Sequence, residues 1–414
     1  MDAHAKTPDS MTVPHNAAPC HPFNQLFYRV CLHGAMMPAV TSFIKQHTLP
    51  LIACIAAAIS ALFVPPSAAY LDYFDFKTLG CLFCISATVN ALVSTGLFSQ
   101  LAQRIVRTLK TQRTCVITMV LITLVGAMFI TNDMALLTFL PLSYLVLRGI
   151  VDDRKLLAWC FILQNAAAVL GGMILPFGNP HNLYLYSLFD IPTGTFILTM
   201  LPTFIAAVIL IGACCLFVKP TPLAPADTAS EDAEQKIEGR IPRKVQIGLY
   251  CILFALTLCA ILRAIPYLAV LVIVIVCLLV ANPRVLVRVD YGLLITFAAF
   301  FVFAGNLSSI PQVKEFLMSL LESNALITIV GTCQIISNLP TTLLYAPFTT
   351  DWATLLVATD IAGMGTPIAS LASLITIKSF MNYRRDDAGL FMRLFLAVGF
   401  SFLIVLSVVA AVFL

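Results

Sequence analysis

Charged residues are scarce in this sequence of 414 residues. They make up 11% of the chain, whereas an ordinary soluble domain has about 25%. Hydrophobic residues make up 60%, and the mean hydropathy is +0.96. This composition excludes a soluble globular protein and predicts an integral membrane protein surrounded by lipid. The net charge of +4 gives no reason to expect a nucleic acid partner.

Sequence motifs of several other function classes are also missing. No G-x-x-x-x-G-K motif occurs, so the chain is not expected to hydrolyse ATP itself. Neither H-E-x-x-H nor G-x-S-x-G occurs, which argues against a membrane-embedded enzyme. Cys81 and Cys84 form a single C-x-x-C pair, which we interpret as packing residues because no second pair completes a zinc site. We therefore expect neither enzymatic activity nor a cofactor.

Apolar stretches long enough to cross a membrane, or to enter it and turn back, occupy most of the chain. They lie near residues 50–66, 78–98, 114–148, 156–189, 195–218, 245–263, 266–281, 291–309, 324–349, 352–377 and 388–413. We predict an all-α polytopic membrane protein with about nine full spans and two re-entrant hairpins.

Two polar segments divide the sequence. Residues 1–49 are irregular and polar, and we predict a cytoplasmic tail. Residues 219–244 are rich in proline, alanine and acidic residues, which is typical of a linker. The linker would separate a first repeat, residues 50–218, from a connecting helix and second repeat, residues 245–413.

Lysine and arginine residues cluster between the apolar stretches, and one topology places every cluster in the cytoplasm. The clusters span residues 104–113, 148–155, 240–244, 284–288 and 378–385. This topology puts the N terminus in the cytoplasm and the C terminus outside a plasma or inner membrane. Because residues 114–148 have basic residues at both ends, they must enter from the cytoplasm and return there as a re-entrant hairpin.

The tip of this hairpin is predicted at Thr131, Asn132 and Asp133, within the sequence FITNDMALL. A carboxylate inside a membrane costs about 2.5–3.5 kcal/mol on insertion scales, and such residues are functional candidates. Non-helical backbone at membrane depth also requires burial in protein or a wet cavity. The alternative is that Asp133 only caps a helix or pairs with a neighbour.

The hairpin sequence recurs in the second half of the chain. FITNDMALLTFLPL (129–142) resembles QIISNLPTTLLYAPF (334–348), and the same number of residues separates Asn132 from Asn338 and Pro141 from Pro347. Further on, GGMILPFGNPHNLYLY (171–186) resembles AGMGTPIASLASLITI (362–377). The topology places both ends of the second hairpin, residues 324–349, outside, so the repeats are predicted to be inverted. Inverted repeats with discontinuous helices are typical of secondary transporters with a binding site near mid-membrane.

The second element of each repeat is predicted to be a helix interrupted by proline and small residues. In LPFGNPHN (175–182), Pro176 and Pro180 remove backbone donors and Gly178 is expected to permit unusual dihedral angles, which frees carbonyls for a cation. A new helix beginning after Asn182 would point amide hydrogens at an anion. A proline-kinked helix is the alternative for either segment alone.

These paired tips and paired P-x-G/A-x-x-x-N/S breaks resemble the ion transporter superfamily, which contains citrate carriers, divalent anion:sodium symporters, arsenite permeases and sodium/proton antiporters. The resemblance covers residues 50–413. FITNDMALLTFLPL and DIAGMGTPIASLASL (360–374) are most similar to the arsenite-permease and anion-permease branch. The resemblance implies hairpins that meet broken helices at the substrate, elevator-like movement against a scaffold, and often a homodimer.

The family's Ser-Asn-Thr tips correspond to Thr131-Asn132-Asp133 and Ser337-Asn338-Leu339. Both third positions depart from the dicarboxylate symporters, because an aspartate would repel a carboxylate and a leucine cannot hydrogen-bond one. The residues that remain are enough for a cation site, with sodium or a proton held by hydroxyl, amide and carboxylate oxygens. Sodium is expected at Thr131, Asn132 and Asp133, near the carbonyl of Gly178, and at Ser337 and Asn338, near the carbonyl of Ala369.

Asp360 and His181 are two further candidates. Asp360 lies just before the second break and faces or flanks it, or else it lies at the end of a helix near the outer interface. His181 could bind an anion, shuttle a proton, or simply hydrogen-bond a carbonyl. The remaining substrate- or ion-binding candidates flank the two breaks: Asn179, Asn182, Thr366, Ser370 and Ser373, the last of which replaces an asparagine of the symporters.

The sequence therefore predicts a secondary active transporter that moves a small anion or oxyanion, coupled to sodium or protons. An arsenite efflux permease and a sodium/proton antiporter are the alternatives that it leaves open. A channel is a weaker alternative, because the polar residues cluster at two points and do not follow a continuous pore.

Overall fold

A computed structural model describes residues 48–106, 109–147, 154–222 and 242–414 of the chain. Almost all of these residues are helical; the described ranges contain no β-strand, and an isolated bridge joins Thr111 to Pro222. The predicted tail, residues 1–49, lies almost entirely outside the described residues, and so do residues 223–241 of the predicted linker, residues 219–244. The all-α fold class predicted from the sequence is confirmed.

Eight helices form the first half of the described chain. They are α1 (Thr48–Phe63), α2 (Phe76–Ser94), α3 (Leu97–Val106), α4 (Gln112–Ile130), α5 (Asn132–Leu147), α6 (Arg154–Gly171), α7 (Pro180–Leu188) and α8 (Thr193–Leu216).

Nine helices form the second half. They are α9 (Arg243–Ile261), α10 (Tyr267–Ala281), α11 (Pro283–Val287), α12 (Tyr291–Ser308), α13 (Pro311–Ile336), α14 (Asn338–Tyr345), α15 (Trp352–Ile361), α16 (Leu371–Tyr383) and α17 (Ala388–Phe413).

Within the described residues, eight helices are long and apolar enough to cross a membrane, which identifies a polytopic membrane protein. Many of their large apolar side chains are exposed on the outside of the molecule, for example Ile209 in α8, Val272 in α10 and Ile404 in α17. In water such a surface would be unfavourable, whereas lipid chains solvate it.

Helix α6 lies at the centre of the molecule. In the most apolar window of 18 residues within Lys155–Ile174, 94% of the residues are buried, compared with 56% or less in the corresponding window of each of the other seven candidate spans. Helices α4, α5, α8, α16 and α17 all pack against α6. The most buried helix therefore leads directly into the first predicted break.

The apolar core has two parts. The main core contains most of the buried residues of α4–α8 and α13–α17. A second core lies between α2, α9, α10 and α11 and includes Tyr250, Leu253 and Val274. Helices α1 and α12 pack closely against each other, and Asn306 of α12 donates hydrogen bonds to Ser60 and Tyr70.

The two predicted hairpins are helix pairs separated by one residue each. Thr131 lies between α4 and α5 with φ 68° and ψ 151°, and Ser337 lies between α13 and α14 with φ 79° and ψ 157°. A non-glycine residue in this region carries backbone strain of about 1–3 kcal/mol and is found mainly at functional sites. Helix α13 is also interrupted at Asn324, where the second hairpin was predicted to begin.

The first broken helix differs in detail from the prediction. Helix α6 ends at Gly171, a short 3-10 turn covers Gly172–Ile174, and α7 already begins at Pro180. The predicted helix start after Asn182 is wrong, because a proline fits well at the first position of a helix. In the second broken helix, α15 ends at Ile361 and α16 begins at Leu371.

Candidate functional site

The two tips have the same local hydrogen bonds. Asn132 is the first residue of α5, and its side-chain Oδ1 accepts from the N–H of Asp133 at 2.8 Å. Asn338 is the first residue of α14, and its Oδ1 accepts from the N–H of Leu339 at 2.9 Å. Both asparagines are buried. Each amide group therefore orders the start of a helix and keeps its Nδ2 donor for another partner.

The second tip contacts the second break directly. The N–H of Asn338 donates to the carbonyl of Ala369 at 2.9 Å, and the hydroxyl of Ser337 donates to the same oxygen at 3.2 Å. The sodium site expected at Ser337 and Asn338, near the carbonyl of Ala369, stays a prediction. The carbonyl oxygen of Ala369 already accepts two hydrogen bonds, which fasten the tip to the break.

Gln334 holds the second break in its non-helical form. The sequence analysis did not identify Gln334 as a site residue. Its Nε2 donates to the carbonyls of Ala362 at 3.0 Å and Met364 at 3.2 Å. Its Oε1 accepts from the N–H of Thr366 at 2.8 Å, and the Thr366 hydroxyl donates to its backbone carbonyl at 2.9 Å. Thr366, a predicted site residue, thus braces the break. A glutamine in the mostly apolar stretch 325–336, just before the tip, was the available signal.

Ser370 and Ser373 begin the helix after the second break. The Ser370 hydroxyl caps α16 by accepting from the N–H of Ser373 at 3.2 Å. The Ser373 hydroxyl also accepts from Nδ2 of Asn165 at 3.4 Å, and Asn165 Oδ1 accepts from the hydroxyl of Thr376 at 3.1 Å. Asn165 in the central helix α6 is a second residue that the sequence reasoning missed.

The first break depends on a close backbone contact. A Cβ atom at Gly178 would lie 2.8 Å from Cα of Gly172, closer than real Cβ atoms come to other atoms. Gly178 has no left-handed φ, whereas Gly365 in the second break has φ +107°. The expectation that Gly178 supplies unusual dihedral angles is therefore wrong, and its role is to let two backbone segments touch.

Asp360 connects the two breaks. It lies near the end of α15, is completely buried, and its Oδ1 accepts from Nδ2 of Asn179 at 2.6 Å. Nε2 of His181 lies 3.2 Å from the same oxygen. Asn179 and His181 belong to the first break and the first turn of α7. Asp360 thus flanks the second break and contacts the first, and tertiary packing decides its position.

Several buried polar atoms around the breaks have no hydrogen-bond partner. They are Oδ1 of Asp133, Oδ1 of Asn179, both side-chain polar atoms of Asn182, and Oδ2 of Asp360. Native proteins rarely leave such groups unpaired, because each costs about 1–3 kcal/mol without a partner. The cluster therefore has unused capacity for water, an ion or a polar ligand.

A small cleft with a volume of about 50 Å³ lies beside the first tip. Its polar lining residues are Ser86, Thr131, Asp133, Asn179 and Asp290, and the rest of the lining is apolar. Asp290 lies close enough to Asp133 to repel its negative charge. Two carboxylates beside one cleft favour a cation there over an unaccompanied anion.

The predicted residues thus form two linked groups. Thr131, Asp133 and Asn179 line the cleft, and Asn179 and His181 reach Asp360. The second tip joins the second break through Ala369. A Cβ atom at Gly363, in the second break, would lie 3.4 Å from Nδ2 of Asn338. Among the described residues, no group of three or more His, Cys, Asp or Glu side chains is arranged to bind a metal ion.

Comparison with known proteins gives consistent matches. A family model described as "Citrate transporter" matches residues 39–357, which include both tips and the first break and end before Asp360. An uncharacterized transporter of Methanocaldococcus jannaschii, MJ0456, is 29% identical over 73% of this chain and 81% of its own length. The inner membrane protein YbiR of Escherichia coli is 28% identical over 76% of this chain and 82% of its own length.

These matches confirm the resemblance to the ion transporter superfamily that the tips and breaks indicated. The family model covers well over half of the chain. The protein is a multi-pass membrane transporter, and it belongs to the citrate transporter family.

Proposed function

We propose that this transporter moves a small anion or oxyanion across the membrane together with a cation, sodium or a proton. The observation that carries the proposal is the cluster of unpaired polar atoms between the first tip and the two breaks, beside a cleft with two carboxylates. A fixed structural core would pair such groups internally. In a transport site, such groups must instead bind water and the transported ligand in turn.

We infer that a cation binds in the cleft from the charges of the residues that line it. No lysine or arginine is among its lining residues, whereas Asp133 and Asp290 both are. An anion entering this space would meet two negative charges in surroundings of low dielectric constant, which is strongly unfavourable. A cation bound beside Asp133 would remove this repulsion and allow an anion of low charge to enter.

Asp133 is the proposed coupling residue. It lies in the first turn of α5, where the positive end of the helix dipole stabilises a carboxylate, and its buried Oδ1 has no partner. Binding of the cation there would neutralise the tip before it moves through the membrane. Thr131 and the Asn132 side chain lie beside it and supply further oxygen ligands.

Contacts between helix ends support the proposed topology, with a cytoplasmic N terminus, an external C terminus and inverted repeats. Near the ends proposed as cytoplasmic, Arg113 donates to the carbonyl of Val218 at 2.7 Å, and Arg243 donates to the carbonyl of Thr95 at 2.9 Å. All four residues belong to ends that the positive-inside rule assigns to the same side. On this topology, the cleft beside Asp290 opens toward the cytoplasm.

An external contact agrees with the same arrangement. Arg263, after α9, forms an ion pair with Asp190, after α7, at 2.8 Å, and it also donates to the carbonyl of Tyr186. Both helix ends are proposed to face outside. We further propose that the main core moves as one body against the second core, in an elevator-type cycle with two re-entrant hairpins.

The direct test is flux into proteoliposomes that contain the purified chain. Citrate, succinate, sulfate and arsenite are offered in turn under an imposed sodium or proton gradient. We expect saturable accumulation of one of them, driven by one of the two gradients, with no unitary currents in planar bilayers. Unitary currents would identify a channel, and sodium movement driven by protons without any anion would identify an antiporter. Either result would overturn the proposal.

A further inference from the structure

Helices α7 and α9 end in the same type of turn, a Schellman motif. After α7 the N–H of Ile191 donates to the carbonyl of Tyr186 at 3.3 Å, and the equivalent bond after α9 is 2.8 Å long. The turn residue of this motif has a left-handed backbone and is usually glycine, which adopts that conformation without strain. Here the turn residues are Asp190, with φ 51°, and Arg263, with φ 65°. Both helix ends therefore use a residue that the turn itself does not favour.

The two turn residues bind each other. Nη1 of Arg263 lies 2.8 Å from Oδ1 of Asp190, and Nη2 donates to the carbonyl of Tyr186 at 2.8 Å. The guanidinium also lies 4.6 Å from the centre of the Tyr186 ring, within the range of a cation–π contact. Glycine at either turn would remove these contacts or the carboxylate that completes them. The contacts between α7 and α9 therefore account for the charged residues at both turns.

The distribution of backbone strain also distinguishes this ion pair. Among the described residues, the non-glycine residues with positive φ are Thr131, Asp190, Arg263 and Ser337. Two of them are the hairpin tips, and the other two form the ion pair. Strained backbone persists where the surrounding structure holds it, and it concentrates at functional sites. This distribution favours a functional role for the pair over an incidental surface contact.

The ion pair lies at one end of a seam between α2 and α7. At the other end is the cleft of about 50 Å³ beside the first tip, which residues of both helices line, among them Ile85 and Asn179. Near the ion pair, a cavity of about 10 Å³ lies between α2, α7 and α9, and Cys81 and Tyr186 are among its lining residues. Leu183 lines both spaces. A cavity needs about 10–15 Å³ to hold one water molecule, so the seam is closed at the end where the ion pair lies.

We propose that Arg263 and Asp190 form a latch that keeps this end of the seam closed while the other end gives access to the first tip. The latch joins α7, whose buried residues belong to the main core, to α9, whose Tyr250 and Leu253 belong to the second core. It rests on the proposed movement of these two cores against each other. The latch releases when the narrow cavity opens and forms again when the cavity closes.

The exposure of the latch suits a contact that is broken in every cycle. The side chains of Arg263 and Asp190 are 28% and 83% exposed, so water replaces their contacts when they separate. Exposed ion pairs of this kind are weak and are screened by salt. The latch therefore biases the seam toward its closed form without locking it.

Cys81 can report the state of the latch, because it lines the narrow cavity and is buried while the cavity is closed. The full chain is placed in lipid nanodiscs, where both membrane faces contact the solution, and no transport substrate is added. A water-soluble maleimide is then added, and tandem mass spectrometry measures the label at Cys81 and at Cys84. Cys84 is buried on the same helix and does not line this cavity. In the wild type, Cys81 should react slowly and Cys84 should stay unlabelled.

Two variants open the latch in different ways. Asp190→Asn keeps a residue that tolerates the left-handed turn and removes only the charge, so labelling of Cys81 should become about two- to fivefold faster. Arg263→Gly removes the ion pair, the hydrogen bond and the cation–π contact while it relieves the strained turn, so labelling should become about tenfold faster or more. Added salt should accelerate labelling of the wild type but not of Asp190→Asn.

The matched control removes an ion pair that does not join the two cores. Arg384→Gln breaks the contact of Arg384 with Asp387, in the short segment between α16 and α17, and it should leave labelling of Cys81 unchanged. If Arg263 served only its turn, Arg263→Gly would label no faster than the wild type, and the latch would be overturned. Labelling of Cys84 together with Cys81 would also overturn it, since that result indicates general loosening. Failure of every anion to accumulate, with labelling as expected, would overturn only the proposed substrate.

Discussion

Replacing Gly178 with alanine tests the close contact on which the first break depends. The added Cβ would lie 2.8 Å from Cα and 2.9 Å from the carbonyl carbon of Gly172, and closer still to its carbonyl oxygen. Ordinary contacts of a Cβ atom are 3.4–4 Å. Because the opposing atoms belong to the backbone, no side-chain rotation can relieve the overlap, and the two segments must separate.

The expected cost is about 1–3 kcal/mol, as for other overpacked interiors. That is a large fraction of a total stability of about 5–15 kcal/mol. Separation of the segments also shifts Asn179, the next residue, away from its 2.6 Å contact with Asp360. We therefore expect a lower thermal unfolding midpoint in detergent micelles together with reduced gradient-driven flux.

Gly212→Ala is the matched control. Gly212 lies inside α8, and no atom lies within 4 Å of the Cβ that alanine would add. Alanine is favoured over glycine in a helix by about 0.5–1 kcal/mol, so this variant should unfold at the same or a higher temperature than wild type. If Gly178→Ala matched Gly212→Ala in both midpoint and flux, the close contact would not be needed for the site.

Three further predictions concern the tips and the second break. Asn132→Ala and Asn338→Ala should each abolish transport while membrane insertion, measured by fractionation, is unchanged; wild-type flux in both would contradict a site built from two tips. Asp133→Asn should permit exchange of substrate but no longer concentrate it against a gradient, since the amide mimics the cation-loaded state. If this variant still accumulated substrate with unchanged sodium and pH dependence, another residue would couple transport to the ion gradient. Gln334→Ala leaves two carbonyls and one N–H of the second break without their partner, so the thermal midpoint should fall with a loss of about 2 kcal/mol or more. Gln334→Glu should not restore it, because a carboxylate accepts from the N–H but repels the two carbonyl oxygens.

The sequence predicted the helix-forming segments closely because lipid imposes a simple rule on them. Each apolar stretch must satisfy its own backbone hydrogen bonds, so its ends are visible in the composition. The residues that start a helix after each tip, Asn132 and Asn338, were recognised from the repeat alone. The interruption at Asn324 also falls where the second hairpin was predicted to begin.

The contacts between the repeats were not predictable in the same way. The hydrogen bond from Asn179 to Asp360 joins residues far apart in sequence, and only packing of α7 against α15 brings them together. The function of Gly178 was misjudged because a glycine can serve either dihedral freedom or close approach, and the sequence does not distinguish the two. Gln334 could have been noticed as a polar residue in the mostly apolar stretch 325–336, but its partners are backbone groups that no motif reveals.

The matched backbone of the two tips bears on the direction of transport. Thr131 and Ser337 have nearly equal φ and ψ angles, and each precedes an asparagine that binds the next N–H in the same way. On the proposed topology one tip faces the cytoplasm and the other faces outside, so a ligand meets the same backbone and asparagine geometry from either side, whereas Asp133 of the first tip has Leu339 as its counterpart in the second. This shared geometry contains no element that makes flux one-way. Whether a cell uses it to import or to expel its substrate would then depend on the prevailing concentrations, and initial rates into and out of vesicles should be similar when the gradients are reversed.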